Sequence, residues 1–407
     1  AWRFWNWDPS NDRDFTGLQV LAKSQNPSRQ TQFTQEVRYA GQLTSKISGV
    51  VGVFFIDQTS KTNGTEESGN AQWRFSQSTT NTALWSTPGL FEGYGIKTNA
   101  KIHSTSTAVF GQIDWAITER LHILPGLRYN YDSKDADYYR VTYGGLQTTD
   151  PALIAIKKSV YSDQAFVAGD DDTDFSGNLT VNFKASDKIN AYATYAKSYK
   201  PIGVNVAGLP TIAGLPALEL AVIKPEDVNH YEVGIKTSPF KNAILNLTLF
   251  NTDIKDFQTN VQAAELGVNR GYLANADLVR VKGAELDASF IINNHFSVTG
   301  AAAYTDGKYV EFTNAPLPLE ETGAPVAFKD VSGTDLPGAS RWAGSLGTEY
   351  TKNVKFFGNL GKFFFALDGY ARSEFSSSPS ASKYLIVPGY AIFNTRLGFR
   401  TADGLSV

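Results

Sequence analysis

Four histidines, His103, His122, His230 and His295, are the first side chains to test for chemistry, because imidazole is both a metal ligand and a base near neutral pH. They are scattered along the chain, and none sits in a His-Glu-x-x-His pair that could hold zinc. No Gly-x-Ser-x-Gly elbow offers a nucleophile, and no Gly-Lys-Ser/Thr loop could cradle a phosphate. The run Asp170, Asp171, Asp172 and Asp174 has the oxygen density to attract a hard cation such as calcium. It lacks the Gly and the distal Glu of an EF-hand loop, and reads as a solvated loop entering a strand at Phe175. Two aromatic groups, Trp2, Phe4, Trp5, Trp7 and Tyr192, Tyr195, Tyr199, could stack on a ligand; anchoring at a membrane interface accounts for them more simply. Trp73, Trp85, Phe91 and Tyr94 lie in a long loop, where ligand contact and ordinary packing are both open. No residue is assigned a catalytic, cofactor-binding or metal-binding role, and the ligand-binding residues are left unknown. An enzyme is not expected.

The elements that carry these residues are strands. Leu121 to Asp132 reads LHILPGLRYNYD, with Leu121, Ile123, Leu127, Tyr129 and Tyr131 on one parity and His122, Arg128, Asn130 and Asp132 on the other. Alternation of this kind gives a strand one apolar and one polar face. Seven short polar turns punctuate the chain, near Thr44 to Lys46, Thr118 to Arg120, Ala185 to Lys188, Ser238 to Asn242, Ile292 to His295, Thr351 to Asn359 and Thr401 to Gly404. Alternating segments flank each of them. Long loops are expected at the opposite end: Lys61 to Lys101, Ser133 to Asp170, Pro201 to Glu226, Asp256 to Asp277 and Asp306 to Ser340. Short turns at one end and long loops at the other are the asymmetry of an outer-membrane β-barrel, in which the apolar face meets lipid and the polar face lines the lumen. Charge in mid-strand, at Glu36 and Arg38, Glu232 and Lys236, and Glu285 and Asp287, suits a wet lumen. Two strands per turn give about fourteen, with one more from Trp2 to Trp7, in an all-β antiparallel transmembrane barrel.

Composition agrees. The 407 residues carry 37 basic and 40 acidic side chains, so nucleic acid is not an expected partner. Mean hydropathy is −0.24, and no apolar run approaches the roughly 18 residues of a spanning helix. A barrel needs only every second residue to be apolar. Cys is absent, which removes disulfides and thiolate metal sites. Met is absent too, so Ala1 is not a translation start, and the chain is expected to be a processed or partial product.

Several blocks resemble the barrel of TonB-dependent outer-membrane receptors. TAVFGQIDWAITERLHILPGLRYNYDSKD (Thr107 to Asp135) is similar to that family's aromatic-Gly-Gln strand, short turn and Gly-Leu-Arg-Tyr strand. IKPEDVNHYEVGIKT (Ile223 to Thr237) resembles its Pro-Glu and Tyr-Glu-x-Gly-x-Lys signature through Pro225, Glu226, Tyr231, Glu232, Gly234 and Lys236. VRVKGAELDASF (Val279 to Phe290) matches its Lys-Gly-x-Glu element through Lys282, Gly283 and Glu285. INAYATYAKSYKP, LNLTLFNTDIKDFQ, DLPGASRWAGSLGTEY and VPGYAIFNTRLGFR are similar to further strands in the same order. The resemblance implies a barrel of about 22 strands around a plugged lumen. It also implies a bacterial outer-membrane location, contact with outer-membrane lipid, and import of a scarce small-molecule solute driven through TonB by the inner-membrane proton gradient. Residues 1–407 would then be part of the barrel domain, with the N-terminal plug, its TonB-contacting segment and the closing strands outside this chain. Rival readings are a passive porin, a soluble all-β binding module or enzyme, and an adhesive surface barrel.

Overall fold

The computed structural model describes residues 1–11, 14, 16–75, 81–209, 211–212, 215–265, 268–321, 328–356 and 358–401. One antiparallel sheet of fifteen strands dominates it. In chain order the strands are β1 (Trp2–Trp7), β2 (Leu21–Gln25), β3 (Ser28–Thr44), β4 (Ile47–Ser68), β5 (Gly95–Ala116), β6 (Leu121–Tyr143), β7 (Gln164–Ser186) and β8 (Ile189–Lys200). There follow β9 (Glu226–Thr237), β10 (Ala243–Glu265), β11 (Val268–Asn293), β12 (Phe296–Glu311), β13 (Trp342–Phe356), β14 (Asn359–Arg372) and β15 (Tyr390–Thr401). Each pairs with its neighbours in sequence, except that β1 passes β2 to pair with β3, and β2 lies against the far end of β4. Among the described residues the sheet does not close, since β1 pairs only with β3 and β15 only with β14.

Six of the seven expected turns join consecutive strands at one end of this sheet. The turn expected at Thr401 to Gly404 falls, beyond Thr401, outside the described residues. At the opposite end three of the expected loops are shorter than the sequence suggests, because the strands run on, while Pro201 to Glu226 falls between β8 and β9 as expected. β4 continues to Ser68, β6 to Tyr143, and β7 starts at Gln164, so the aspartates from Asp170 to Asp174 lie in a strand and not in a loop. Asp256 to Asp277 is no loop either, for its residues stay paired from Phe257↔Ala276 to Glu265↔Val268. Backbone pairing persists into water, but there neither face has to be apolar, and the alternation that marks a strand is lost. A further long connection, residues 373–389, separates β14 from β15.

The apolar side chains look outward. Leu127, Val181 and Leu247 are 61%, 37% and 40% exposed, which rules out a dry interior on that face. On β4 the outward series is Gly49, Val51, Val53 and Phe55, and it turns polar at Asp57, Thr59 and Lys61. On β6 it runs from Leu121 to Tyr131 and turns polar at Ser133; on β10 it runs from Leu245 to Leu249 and turns polar at Asn251. The β6 stretch has the length that crosses hydrocarbon, roughly 9–11 residues for a tilted strand, and those given for β4 and β10 are shorter. Aromatic pairs mark the upper boundary: Phe33 with Phe55 at 6.2 Å, Tyr129 with Phe175 at 4.8 Å, Tyr195 with Tyr231 at 5.1 Å and Tyr304 with Trp342 at 4.8 Å between ring centres. Such a belt sits at headgroup depth.

Buried apolar clusters lie at the long-loop end. One joins Leu84, Leu90, Phe91, Tyr94 and Ile96 to Val160 and Tyr161 at the end of helix α1 (Pro151–Val160). A second packs Tyr138, Phe166 and Ala168 under Leu209 and Ala221; a third holds Val261, Val279, Tyr309, Phe312 and Val331. These cores fix the loops as an ordered cap.

Replacing Leu247 with Arg should destabilise the fold by about 2–4 kcal/mol if the site lies near mid-bilayer, whereas Thr248→Arg on the other face should cost far less. A lipid-refolding titration measures both, and equal costs would contradict the assigned faces.

Candidate functional site

The inner wall of the sheet and the cap above it hold the side chains able to meet a solute. Lowest on the wall, His122 lies 2.7 Å from Asp114, and Lys184 pairs with Asp187 at 2.9 Å. With Arg120, Lys236 and Asn246 these residues line a recess of about 630 Å³ at the short-turn end.

Higher up, one tyrosine organises several neighbours. Tyr192 of β8 lies across Gly234 of β9, where a Cβ would come within 2.4 Å of the ring. Its hydroxyl donates to Glu232 at 2.7 Å and lies 3.3 Å from Thr248, and the Lys236 ammonium sits 5.4 Å from the ring centre. Gly234 is a glycine because the aromatic ring occupies its side-chain space, an arrangement that restores packing over a strand glycine. Gly283 and Phe250 repeat the arrangement on β11 and β10. Next to this group the His230 ring lies 2.8 Å from the Thr252 hydroxyl and 3.4 Å from Glu232. Arg128 is held between Phe54 and Phe110, at 5.1 and 5.6 Å, and donates to Asn130 at 2.6 Å. Flat aromatic faces and a guanidinium attract each other in this geometry.

Beneath the cap, polar side chains tie loop to wall. The Tyr199 hydroxyl donates to Asp132, and the Lys134 ammonium to the Ile202 carbonyl. Glu226, almost fully buried, accepts from Lys200 at 2.9 Å and from the Gln258 backbone at 2.8 Å. Asn205 bonds both the N–H and the carbonyl of Leu273, at 2.7 and 3.0 Å. Ile202 and Asn205 are thereby pinned across several strands.

The residues singled out in the sequence are dispersed. His103 pairs with Asp57 at 2.7 Å on the outer face above the aromatic belt, and the His295 ring lies tilted against Tyr350 beside a turn. Asp170, Asp172 and Asp174 alternate with Asp171 between two faces, and no metal-holding group of three is found among the described residues. Trp2 and Phe4 share the face of Phe33, while Trp5 and Trp7 take the other, so interfacial anchoring fits only the first pair. Tyr192 points inward, Tyr195 joins the belt and Tyr199 bonds Asp132; they form no joint stacking site. Phe91 and Tyr94 are buried in the cap, and Trp73 packs edge-on at 4.7 Å against Trp85, which is itself exposed. Gln164, Asn205, Gln258 and Arg140 were not foreseen, because single polar residues without a spacing pattern give no signal.

Burial, with the Asp163 charge adding to it, pushes the Tyr94 hydroxyl up to about 12. This hydroxyl donates to the Tyr161 carbonyl at 2.7 Å. The raised value means the fold favours the neutral phenol: its contribution is complete below the unfolded value near 10 and fades as pH rises toward 12. Near-ultraviolet circular dichroism of the cap should show an alkaline loss in this window that Tyr94→Phe flattens. Gly234→Ala should cost about 1–3 kcal/mol through overlap with Tyr192. The same change made in a Tyr192→Ala background should cost much less, a coupling that a double-mutant cycle in unfolding reads directly.

A family model described as TonB dependent receptor-like, beta-barrel, matches residues 2–407. Among curated proteins, the pesticin receptor of Yersinia enterocolitica is 26% identical over 183 residues, covering 45% of this chain and 23% of that protein. The ferrichrome outer membrane transporter/phage receptor of Escherichia coli is 24% identical over 191 residues, covering 43% and 23%. In structure, the ferric yersiniabactin uptake receptor FyuA from Yersinia pestis superposes with a TM-score of 0.71 at 17% identity, over 99% of this chain and 50% of that one. The copper transporter OprC gives a TM-score of 0.64 at 13% identity, over 98% and 53%. The chain thus spans about half the length of these receptor structures. Long loops are the extracellular side of such barrels and short turns the periplasmic side. With its outward apolar band, aromatic belt and turn asymmetry, the chain belongs to the TonB-dependent receptor-like β-barrel family of the Gram-negative outer membrane.

Proposed function

We propose that this chain supplies barrel strands to a receptor that captures a scarce solute at its extracellular cap and imports it into the periplasm. Residues 1–407 are read as part of the barrel domain, with the plug and the TonB-contacting segment outside this chain. TonB pulling on that plug is the energy input, drawn from the inner-membrane proton gradient. The observation that carries this reading is the pairing of a hydrogen-bonding inner wall with an ordered cap, on a chain that matches the family model from end to end. A wall rich in Arg128, Glu232, His230 and Asp132 offers a polar solute a succession of partners, as a lumen requires and a lipid face forbids. Similar proteins are a ferrichrome transporter, a ferric yersiniabactin uptake receptor and a copper transporter, so metal ions and their complexes head the solute classes to test. The work is transport rather than catalysis.

Deletion of the gene should abolish growth on one scarce nutrient, such as a ferric siderophore, and deletion of TonB should have the same effect. Uptake or ion conductance that persists without TonB would instead support a passive pore.

A further inference from the structure

Arg140 is the one fully buried basic side chain among the described residues, and none of their ion pairs includes it. It is 3% exposed, on the same parity of β6 as Asn130, Asp132 and Tyr138, and faces inward. Its Nε donates to the Ser162 carbonyl at 2.8 Å and its Nη2 to the Ser162 hydroxyl at 3.3 Å, while Nη1 has no partner. Neutral acceptors leave the charge of a buried guanidinium uncompensated, which is an expensive state.

What covers Nη1 is a glycine. Gly208 stands at φ +99, and a Cβ on it would lie 2.6 Å from Arg140 Nη1, 3.2 Å from the Tyr138 hydroxyl and 3.4 Å from the Gln164 side-chain oxygen. Two donors therefore converge on one point, at distances an oxygen would occupy. Burial raises the Tyr138 hydroxyl above its ordinary value, so it stays a donor at neutral pH. The Tyr138 ring stacks on Phe166 at 4.8 Å and 23°, forming a flat apolar floor. The cover itself is held by an exchangeable bond, for Gln164 donates to the Leu209 carbonyl at 2.8 Å and accepts its N–H at 2.9 Å.

We propose that Arg140 and Tyr138 form an oxyanion site, closed here by Gly208 and Leu209, which takes a carboxylate-bearing solute when that turn lifts. Arg140 contributes charge and the free Nη1 donors, with Ser162 fixing the plane of its guanidinium, Tyr138 adds a second donor, and Phe166 supports a planar group through Tyr138. Gln164, released from Leu209, can turn its amide to donate as well. The site deepens the import reading by naming a solute class, and rests on it only in taking the occupant to be the imported solute.

The purified receptor in detergent, heated in sodium benzoate and in sodium chloride of equal ionic strength, tests the site without any transport step. Benzoate should raise the unfolding midpoint of the native protein, since a ligand that binds only the folded state stabilises it. Arg140→Gln should melt no lower than the native protein in chloride, having lost an unpaired buried charge, and should lose the benzoate response. Tyr138→Phe keeps the ring and should weaken the response. Should Arg140→Gln fail to fold, Arg140→Lys keeps the charge without the fork and should need about tenfold more benzoate. No benzoate response in the native protein, or the same response in the Arg140 variant, overturns the site. TonB-dependent uptake left unchanged by Arg140→Gln would also overturn it as a solute site, while leaving the import reading intact.

Discussion

Hydrocarbon offers no partner to a backbone N–H or carbonyl, and this one exclusion organises the chain. Antiparallel pairing that runs from β1 through β14 to β15 satisfies those groups on the strands between the two open edges. Pairing in turn fixes which side chains share a face, so the outward row through Leu245, Leu247 and Leu249 and the inward row through Asn246 and Thr248 follow from the register alone. A one-residue slip of β10 would carry its leucines into the lumen and its polar residues into lipid. Register is therefore specified at every strand that crosses the membrane.

Above the aromatic belt the exclusion lapses but the ladder does not. β6 keeps its pairing with β7 as far as Arg140↔Gln164, well past the last outward tyrosine at Tyr131. On this extension the outer face is polar and the inner face becomes the buried one: Ala136, Tyr138 and Arg140 are covered by loop, while Asp137 and Tyr139 face solvent. The same strands thus invert their use of burial along their length. In the membrane the apolar side is outward and open to lipid; in the cap it is inward and packed on loops.

That inversion explains what could be read from the residues alone. The segment from Leu121 to Asp132 was legible because its alternation is uninterrupted and a lipid face demands it. Turns such as Thr118 to Arg120 were legible through Ser, Thr and charged residues between two such runs. The stretch from Asp256 to Asp277 was misread as loop, since Asp, Asn and Gln on a strand in water look like loop residues. Arg140, Gln164 and Asn205 were illegible for a different reason. Their partners, Ser162, Leu209 and Leu273, lie in other elements, and no spacing within one strand announces a bond across several.

The family signature, read through its contacts, holds the wall together. Glu232, Gly234 and Lys236 all engage the Tyr192 ring or hydroxyl, Tyr231 faces outward in the belt against Tyr195, and Glu226 clamps a loop base. Each is committed to holding neighbouring strands or a loop in place. The same barrel architecture recurs in a copper transporter and a ferric yersiniabactin uptake receptor, so the fold by itself names no cargo. On the proposed import reading, selectivity then falls to side chains beneath the cap, where the strands leave the membrane and the loops fold back over the lumen.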